Sequence, residues 1–422
     1  MSGNPATAAG HGLSVYIHFP FCRHRCAYCD FATVAANVIP RDTYTEAIVE
    51  ELRLRTRTWP RSRIETVYFG GGTPSLWGDA GVGAVLDWLN DWGGIADAAE
   101  ITLEANPGVT DAADLRSYLD VGVNRFSVGV QALADERLRR LDRVHDAATA
   151  RRTIDTLADL LASGRLASAS VDLILGGPGQ DLASLRNDVD IILDADLPHL
   201  SVYALTVEDG TPLAEQVARG LAKSPDDGLQ ADMLDALPRW LADADLRRYE
   251  VSNFARRGHE SRHNMAYWIG ASYLAVGVGA HGFESLAGGP TTTERLGRRY
   301  GNHRLLRDWM ADVKAGREPE AFAESIDVDT HVHERLLTGL RLTDGFDVAS
   351  MRGFAGDKRC DALLEAANGI GRAGGLFVAG ERIRATADAF VHLDGVVVAL
   401  SEAWDAAQGA ANSDRHVDLS AR

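Results

Sequence analysis

The chain has 422 residues, 45% hydrophobic and 24% charged, the composition of an ordinary globular protein. That length holds two or three domains, or one large barrel with appendages. A formal net charge of −17 disfavours nonspecific nucleic-acid or anionic-membrane binding, and no apolar run is long enough to span a bilayer.

The N-terminus, MSGNPATAAGHG, lacks the basic and apolar parts of a signal peptide, and four cysteines are too few for a disulfide scaffold. A reducing cytoplasm is therefore the expected compartment. The first predicted strand is Val15–Phe19, which carries Tyr16. Just beyond it, YIHFPFCRHRCAYCDF sets Cys22, Cys26 and Cys29 within eight residues. A structural zinc site takes four N/S ligands and disulfides need an even count. A 4Fe–4S cluster held by three thiolates keeps one iron open to another ligand. By itself the loop also suits a Cys3His zinc site completed by His18 or His24, or plain buried thiols.

A helix is predicted over Arg41–Thr56 from its apolar spacing. The β-branched and aromatic strand Thr66–Phe69 then runs straight into Gly70, Gly71, Gly72, Thr73 and Pro74. Glycines at a strand end allow a ligand to approach backbone that a Cβ would shield; alone, they would make a tight turn. With the cysteine loop and this turn together, the sequence resembles the radical SAM superfamily. Within it the resemblance is to the coproporphyrinogen III dehydrogenase-like branch, most closely its HemW-like heme chaperones, from about Ser14 to about Leu400. It implies an α/β fold: a partial (β/α)6 radical SAM barrel with a C-terminal, mainly helical extension and small domain. It further implies a 4Fe–4S cluster on Cys22, Cys26 and Cys29 whose open iron chelates S-adenosylmethionine (SAM). Gly71, Gly72 and Thr73 would form a platform for the methionine end of SAM, and Tyr16 would border the site.

The next strands are predicted at Ile101–Glu104, Arg125–Val130, Ser170–Leu175 and Leu200–Leu205, with a helix over Asp111–Val121. Such alternation implies parallel strands joined by right-handed crossovers, with ligands gathering at the strands' C-terminal ends. Glu104 closes one strand and Asp172 interrupts another. A buried acid without a partner is costly, so each should face a polar group at the barrel mouth. Gln131 ends FSVGVQ, and Arg143 follows twelve residues later. The resemblance implies that Glu104, Gln131, Arg143 and Asp172 contact SAM, the arginine pairing with its carboxylate. Structural ion pairs or surface positions are the plainer alternatives.

The barrel is expected over residues 13–210, a connecting region over 211–320 and the small C-terminal domain over 321–408. Residues 1–12 and 409–422, polar and small, are expected to be disordered. The connecting region holds a helical stretch at Gln230–Asp243 and a glycine-rich strand or turn at Val276–Gly282. Between them His263, Asn264, Tyr267 and Trp268 form HNxxYW, which resembles the motif of the heme chaperones. An imidazole can ligate heme iron and the two aromatic rings can pack on the macrocycle. A polar turn capping a helix is the plainer reading, and His281 in GVGAHGF is the next candidate ligand, although the resemblance there points as readily to the SAM pocket.

Phe31 stands where the family's decarboxylase has a further cysteine. The expected function is therefore a heme chaperone, with heme, a heme-acceptor protein and an electron donor as partners. The alternatives are an oxygen-independent dehydrogenase that decarboxylates the propionates of coproporphyrinogen III, and a zinc-binding barrel with an unrelated substrate. Cys360 is isolated and expected to stand apart from the cluster.

Overall fold

The computed structural model describes residues 12–59, 61–109, 112–285 and 295–418. Twelve strands form one sheet: β1 Leu13–Phe19, β2 Ile64–Gly71, β3 Ile95–Ala105, β4 Arg125–Gln131, β5 Ser168–Leu175, β6 His199–Ala204, β7 Arg247–Glu250, β8 Asn253–Ala255, β9 Tyr273–Val276, β10 His281–Ser285, β11 Gly297–Asn302 and β12 Glu320–Ile326. Their spatial order is β12-β11-β10-β9-β1-β2-β3-β4-β5-β6-β8-β7. Strands β1 to β6 pair in chain order and in parallel. Each is followed by a helix, beginning with Arg41–Arg55 and Asp79–Trp92. This is the partial (β/α)6 barrel. The remaining strands extend its edges: β9 lies parallel to β1, whereas β8 and β10 pair antiparallel with β6 and β9.

The alternation of side chains along the strands sorts core from site. Val15, Ile17 and Phe19 of β1, Val67 and Phe69 of β2, Phe126 and Val128 of β4 and Val171 and Leu173 of β5 belong to one apolar core under the helices. The intervening positions point the other way, because successive side chains in a strand face opposite sides. They include Tyr16, Tyr68, Glu104, Ser127 and Asp172, all of which line cavities on the inner side of the sheet.

A second apolar core gathers Val332, Leu336, Cys360, Leu363, Ile383, Leu400 and Trp404. It is built by the helices Val328–Gly339, Asp357–Arg372 and Leu393–Asp418 and a three-stranded antiparallel sheet. The tail from 409, expected to be disordered, continues the last helix to Asp418; alanines at 406, 407, 410 and 411 of that helix favour this conformation. The N-terminal stretch expected to be disordered lies outside the described residues, apart from Gly12. Among the described residues no helix is long and apolar enough to cross a membrane.

Candidate functional site

The cysteine loop leaves β1 and folds over the strand ends. Phe21–Cys22 pairs in parallel with Val34–Ala35, and Phe21 anchors the loop edge-on to Phe19 and Tyr44 at 5.3 and 5.5 Å. Cys22, Cys26 and Cys29 are free thiols that line one cavity of about 450 Å³ at the C-terminal strand ends. Thr73 Oγ1 donates to Cys22 Sγ and Arg143 Nη1 to Cys26 Sγ, both at 3.5 Å. Burial pushes the Cys22 thiol up to about 11 and raises Cys29 as well; a nearby positive charge or a metal favours the thiolate form. Among the described residues no three or more His, Cys, Asp or Glu side chains already converge on a single metal position. Three thiols on one cavity, with two polar donors onto their sulfurs, nonetheless suit a cluster that spaces its ligands apart. His18 is not poised as a fourth ligand: its Nδ1 meets Tyr16 Oη and its Nε2 the Ala32 carbonyl, each at 3.0 Å. His24 Nε2 pairs with Asp142 at 2.8 Å.

Gly71, the last residue of β2, and Gly72 beyond it line this cavity, and the protein itself packs tightly against both. A Cβ on Gly72 would lie 2.8 Å from the carbonyl oxygens of both Pro20 and Phe21, and one on Gly71, at φ +116°, would lie 2.5 Å from the His18 ring. The Gly72 N–H donates to the Phe19 carbonyl at 2.7 Å and the Thr73 N–H to the Phe21 carbonyl at 3.0 Å. Bare backbone is thus already required by the cysteine loop at Gly72 and by the His18 ring at Gly71.

Glu104 accepts from Tyr68 Oη at 2.8 Å and from the Gly71 N–H at 3.0 Å. Burial raises its carboxyl to about 7, and the nearby Asp172 carboxylate adds to the rise. Asp172 accepts from Ser127 Oγ at 3.2 Å and is likewise raised by burial. Arg143 Nη2 donates to Asn106 Oδ1 at 2.6 Å and to the Gly129 carbonyl at 2.8 Å, while its Nε is buried with no hydrogen-bond partner among the described residues. Gln131 ends β4 at φ +66° and lines the same cavity. The structure thus brings the three cysteines, Gly71, Gly72, Thr73, Glu104, Gln131, Arg143 and Asp172 onto one cavity. An unsatisfied guanidinium N–H beside two carboxylates and three thiols suits a zwitterionic ligand seated on a cluster. Asn106, which joins Thr73 to Arg143, was not foreseen; its only signal was a polar residue just after the strand in EANP.

Tyr16 lines a neighbouring cavity of about 620 Å³. The two cavities share Asp30, Phe31, Gly71 and Glu104 as lining residues. Phe31 is 58% exposed at their common rim, so it does not seal the cysteine loop from water.

HNxxYW forms the helix Arg262–Trp268, capped by Ser261 Oγ accepting from the Asn264 N–H. The motif divides. Asn264 lines the cysteine cavity, and Tyr267 and Trp268 line its neighbour. His263 is fully buried, with Nδ1 bonded to Thr66 Oγ1 at 2.8 Å and Nε2 to Tyr267 Oη at 2.7 Å. It lines neither cavity, and burial lowers its imidazole to about 3. His263 pins the helix to β2 and, in this arrangement, has no free nitrogen to offer iron.

The radical SAM superfamily model matches residues 16–192. Radical S-adenosyl methionine domain-containing protein 1, a mitochondrial protein of Danio rerio, is 40% identical over 269 residues, 64% of this chain and 60% of its own. The match therefore spans about three fifths of that relative. Heme chaperone HemW of Mycobacterium tuberculosis is 35% identical over 363 residues, covering 85% of this chain and 89% of its own. HemW of Escherichia coli is 35% identical over 315 residues, 74% and 81%. Among solved structures, coproporphyrinogen III oxidase (HemN) of Escherichia coli aligns with a TM-score of 0.76 at 19% identity, over 94% of this chain and 92% of that one. That likeness is one of fold.

Proposed function

The chain belongs to the radical SAM superfamily, in its HemW-like heme chaperone branch, and from that premise we propose that it binds heme and passes it to an acceptor protein. The observation that carries this reading is the 35% identity to HemW over 85% of the chain. The larger cavity, walled by Tyr267 and Trp268 and adjoining the cysteine cavity, supports it. The family implies a 4Fe–4S cluster and SAM, and we assign the cluster to Cys22, Cys26 and Cys29. When bound, that cluster supplies one electron at a time to the sulfonium of SAM.

The chain's own residues then do three things. Thr73 and Arg143 hold donors against the cysteine sulfurs, and hydrogen bonding to sulfur is one lever on cluster potential. Arg143 offers its unused Nε–H to the methionine carboxylate. Glu104 and Asp172 accept from the ribose hydroxyls or the ammonium group, with Gly71, Gly72 and Gln131 beside them. An electron donor and a heme acceptor complete the cycle, in the cytoplasm. Phe31, where the decarboxylase pattern has a cysteine, favours delivery over porphyrinogen oxidation.

The test is anaerobic. Heme and coproporphyrinogen III are offered separately to the cluster-loaded protein with SAM and a reductant. Stoichiometric heme binding with no protoporphyrinogen IX is the expected result, and formation of protoporphyrinogen IX overturns the reading.

A further inference from the structure

Resting on the heme reading above, the larger cavity holds two kinds of group that its own protein surroundings leave unused. The first is His281, at the start of β10. Its side chain is exposed, stands edge-on to Phe322 at 5.5 Å and has no hydrogen-bond partner among the described residues. The second is a pair of arginines without carboxylates. Arg335 Nη1 donates only to the Trp268 carbonyl at 2.6 Å and to Thr338 Oγ1 at 2.9 Å. Arg304 Nη2 donates to the Asp30 carbonyl at 2.6 Å. Neither forms an ion pair among the described residues, whereas Arg299 in the same wall is matched by Glu324 and Glu334 at 2.8 and 2.5 Å. Arg335 is half-buried, and a guanidinium so placed without a counter-charge is costly unless an anion arrives; Arg304 stands exposed at the cavity rim. The two arginines, beside an aromatic wall and a free imidazole, describe the complement of a planar, dianionic metal macrocycle.

We propose that heme lies in this cavity with His281 on the iron and its two propionates on Arg304 and Arg335, and that His263 serves only to position Tyr267. The flat faces of the macrocycle meet Tyr267 and Trp268. Arginine suits carboxylates because its planar fork makes paired, charge-assisted hydrogen bonds. A single side-chain ligand on an open face is also consistent with cargo that must leave again. The cavity shares Gly71 and Glu104 with the cysteine cavity, so heme would sit against the cluster and SAM chamber and report on its state.

The test titrates heme, iron-free protoporphyrin IX and the dimethyl ester of heme into the cluster-loaded full chain. In His281→Ala, heme affinity should fall about tenfold or more and the Soret band shift, while iron-free protoporphyrin binds as before. In the double variant Arg304→Gln, Arg335→Gln, heme and protoporphyrin should both weaken about tenfold or more, and the diester should be unaffected. A merely structural role for these residues would weaken all three ligands alike, which overturns the placement. Unchanged heme affinity and Soret band in His281→Ala overturn it too. Wild-type protein that binds no heme at all overturns the delivery reading itself, so the two failures are distinguishable.

Discussion

Cys22 and Cys360 are both buried free thiols, yet their surroundings differ in kind. Cys22 meets the Thr73 hydroxyl at the edge of a polar cavity, and Cys360 packs among Leu363, Ala367 and Trp404 in the second core. Cys22→Ala should therefore abolish bound iron and the visible absorption of the reconstituted protein, while Cys360→Ala keeps both; equal loss in the two variants would sink the cluster assignment. Glu104 makes a second residue-scale prediction. Its carboxyl is raised to about 7 in the folded protein, above an unfolded value near 4.3, so the folded state binds more protons between those limits. Stability from this group is full below the unfolded value and drains away as pH rises toward 7, by an amount of the order of 3 kcal/mol. In cofactor-free protein, the stability of wild type relative to Glu104→Gln should fall between pH 5 and pH 8 in urea unfolding. A difference that is flat with pH would contradict the buried-acid geometry. Glu104 and Asp172 were legible in the sequence because one closes and the other interrupts an apolar strand, and strand alternation then fixes the face to which they point. The role of His263 was not legible, since its partner Thr66 lies 197 residues away.

The elements β1 to β6 were readable because each is an apolar run followed by an amphipathic helix. Their edges were not. The seventh parallel strand, β9, is the four-residue YLAV, too short to distinguish from a turn until it docks on β1. What holds that edge is a buried carboxylate. Glu51 of the helix Arg41–Arg55 accepts from Arg55 Nε at 2.9 Å, Asn302 Nδ2 at 2.6 Å, the Gly277 N–H at 2.8 Å and Trp309 Nε1 at 2.8 Å. Beside Arg55 on its own helix, three donors from three distant segments meet on this one side chain, a convergence that local spacing does not encode. Arg55→Met leaves that charge without its cation, and should cost about 3–5 kcal/mol in urea unfolding; a loss below 1 kcal/mol would mean that the neutral donors suffice. The glycine turn carries a related expectation. Because a Cβ at Gly72 would press on the Pro20 and Phe21 carbonyls, Gly72→Val should displace the cysteine loop and lose iron together with SAM binding. Retained iron with only SAM binding lost would restore the simpler view that the glycine makes room for the ligand.

At the scale of the whole molecule, the helix Val328–Gly339 belongs to both halves of the protein. Val332 and Leu336 face the second core, whereas His331, Glu334, Arg335 and Thr338 line the larger cavity; the two sets recur at helical spacing on opposite faces. The second core therefore holds one wall of the proposed heme cavity, and none of the cysteine ligands belongs to it. Trp404 is its largest fully buried side chain, its Nε1 donating to Asp329 Oδ1 at 3.0 Å and its ring covered by Arg359 at 3.7 Å. Removing that ring leaves a cavity that the surrounding helices close only in part, at a cost of about 3–5 kcal/mol. Trp404→Ala should loosen the helix that carries Arg335 and weaken heme binding, while the barrel keeps its iron, sulfide and SAM affinity. Measured on one preparation, heme affinity should fall with iron content unchanged. If iron and heme were lost together, the two cores would be a single cooperative unit, and the cavity wall could not be tuned independently of the cluster.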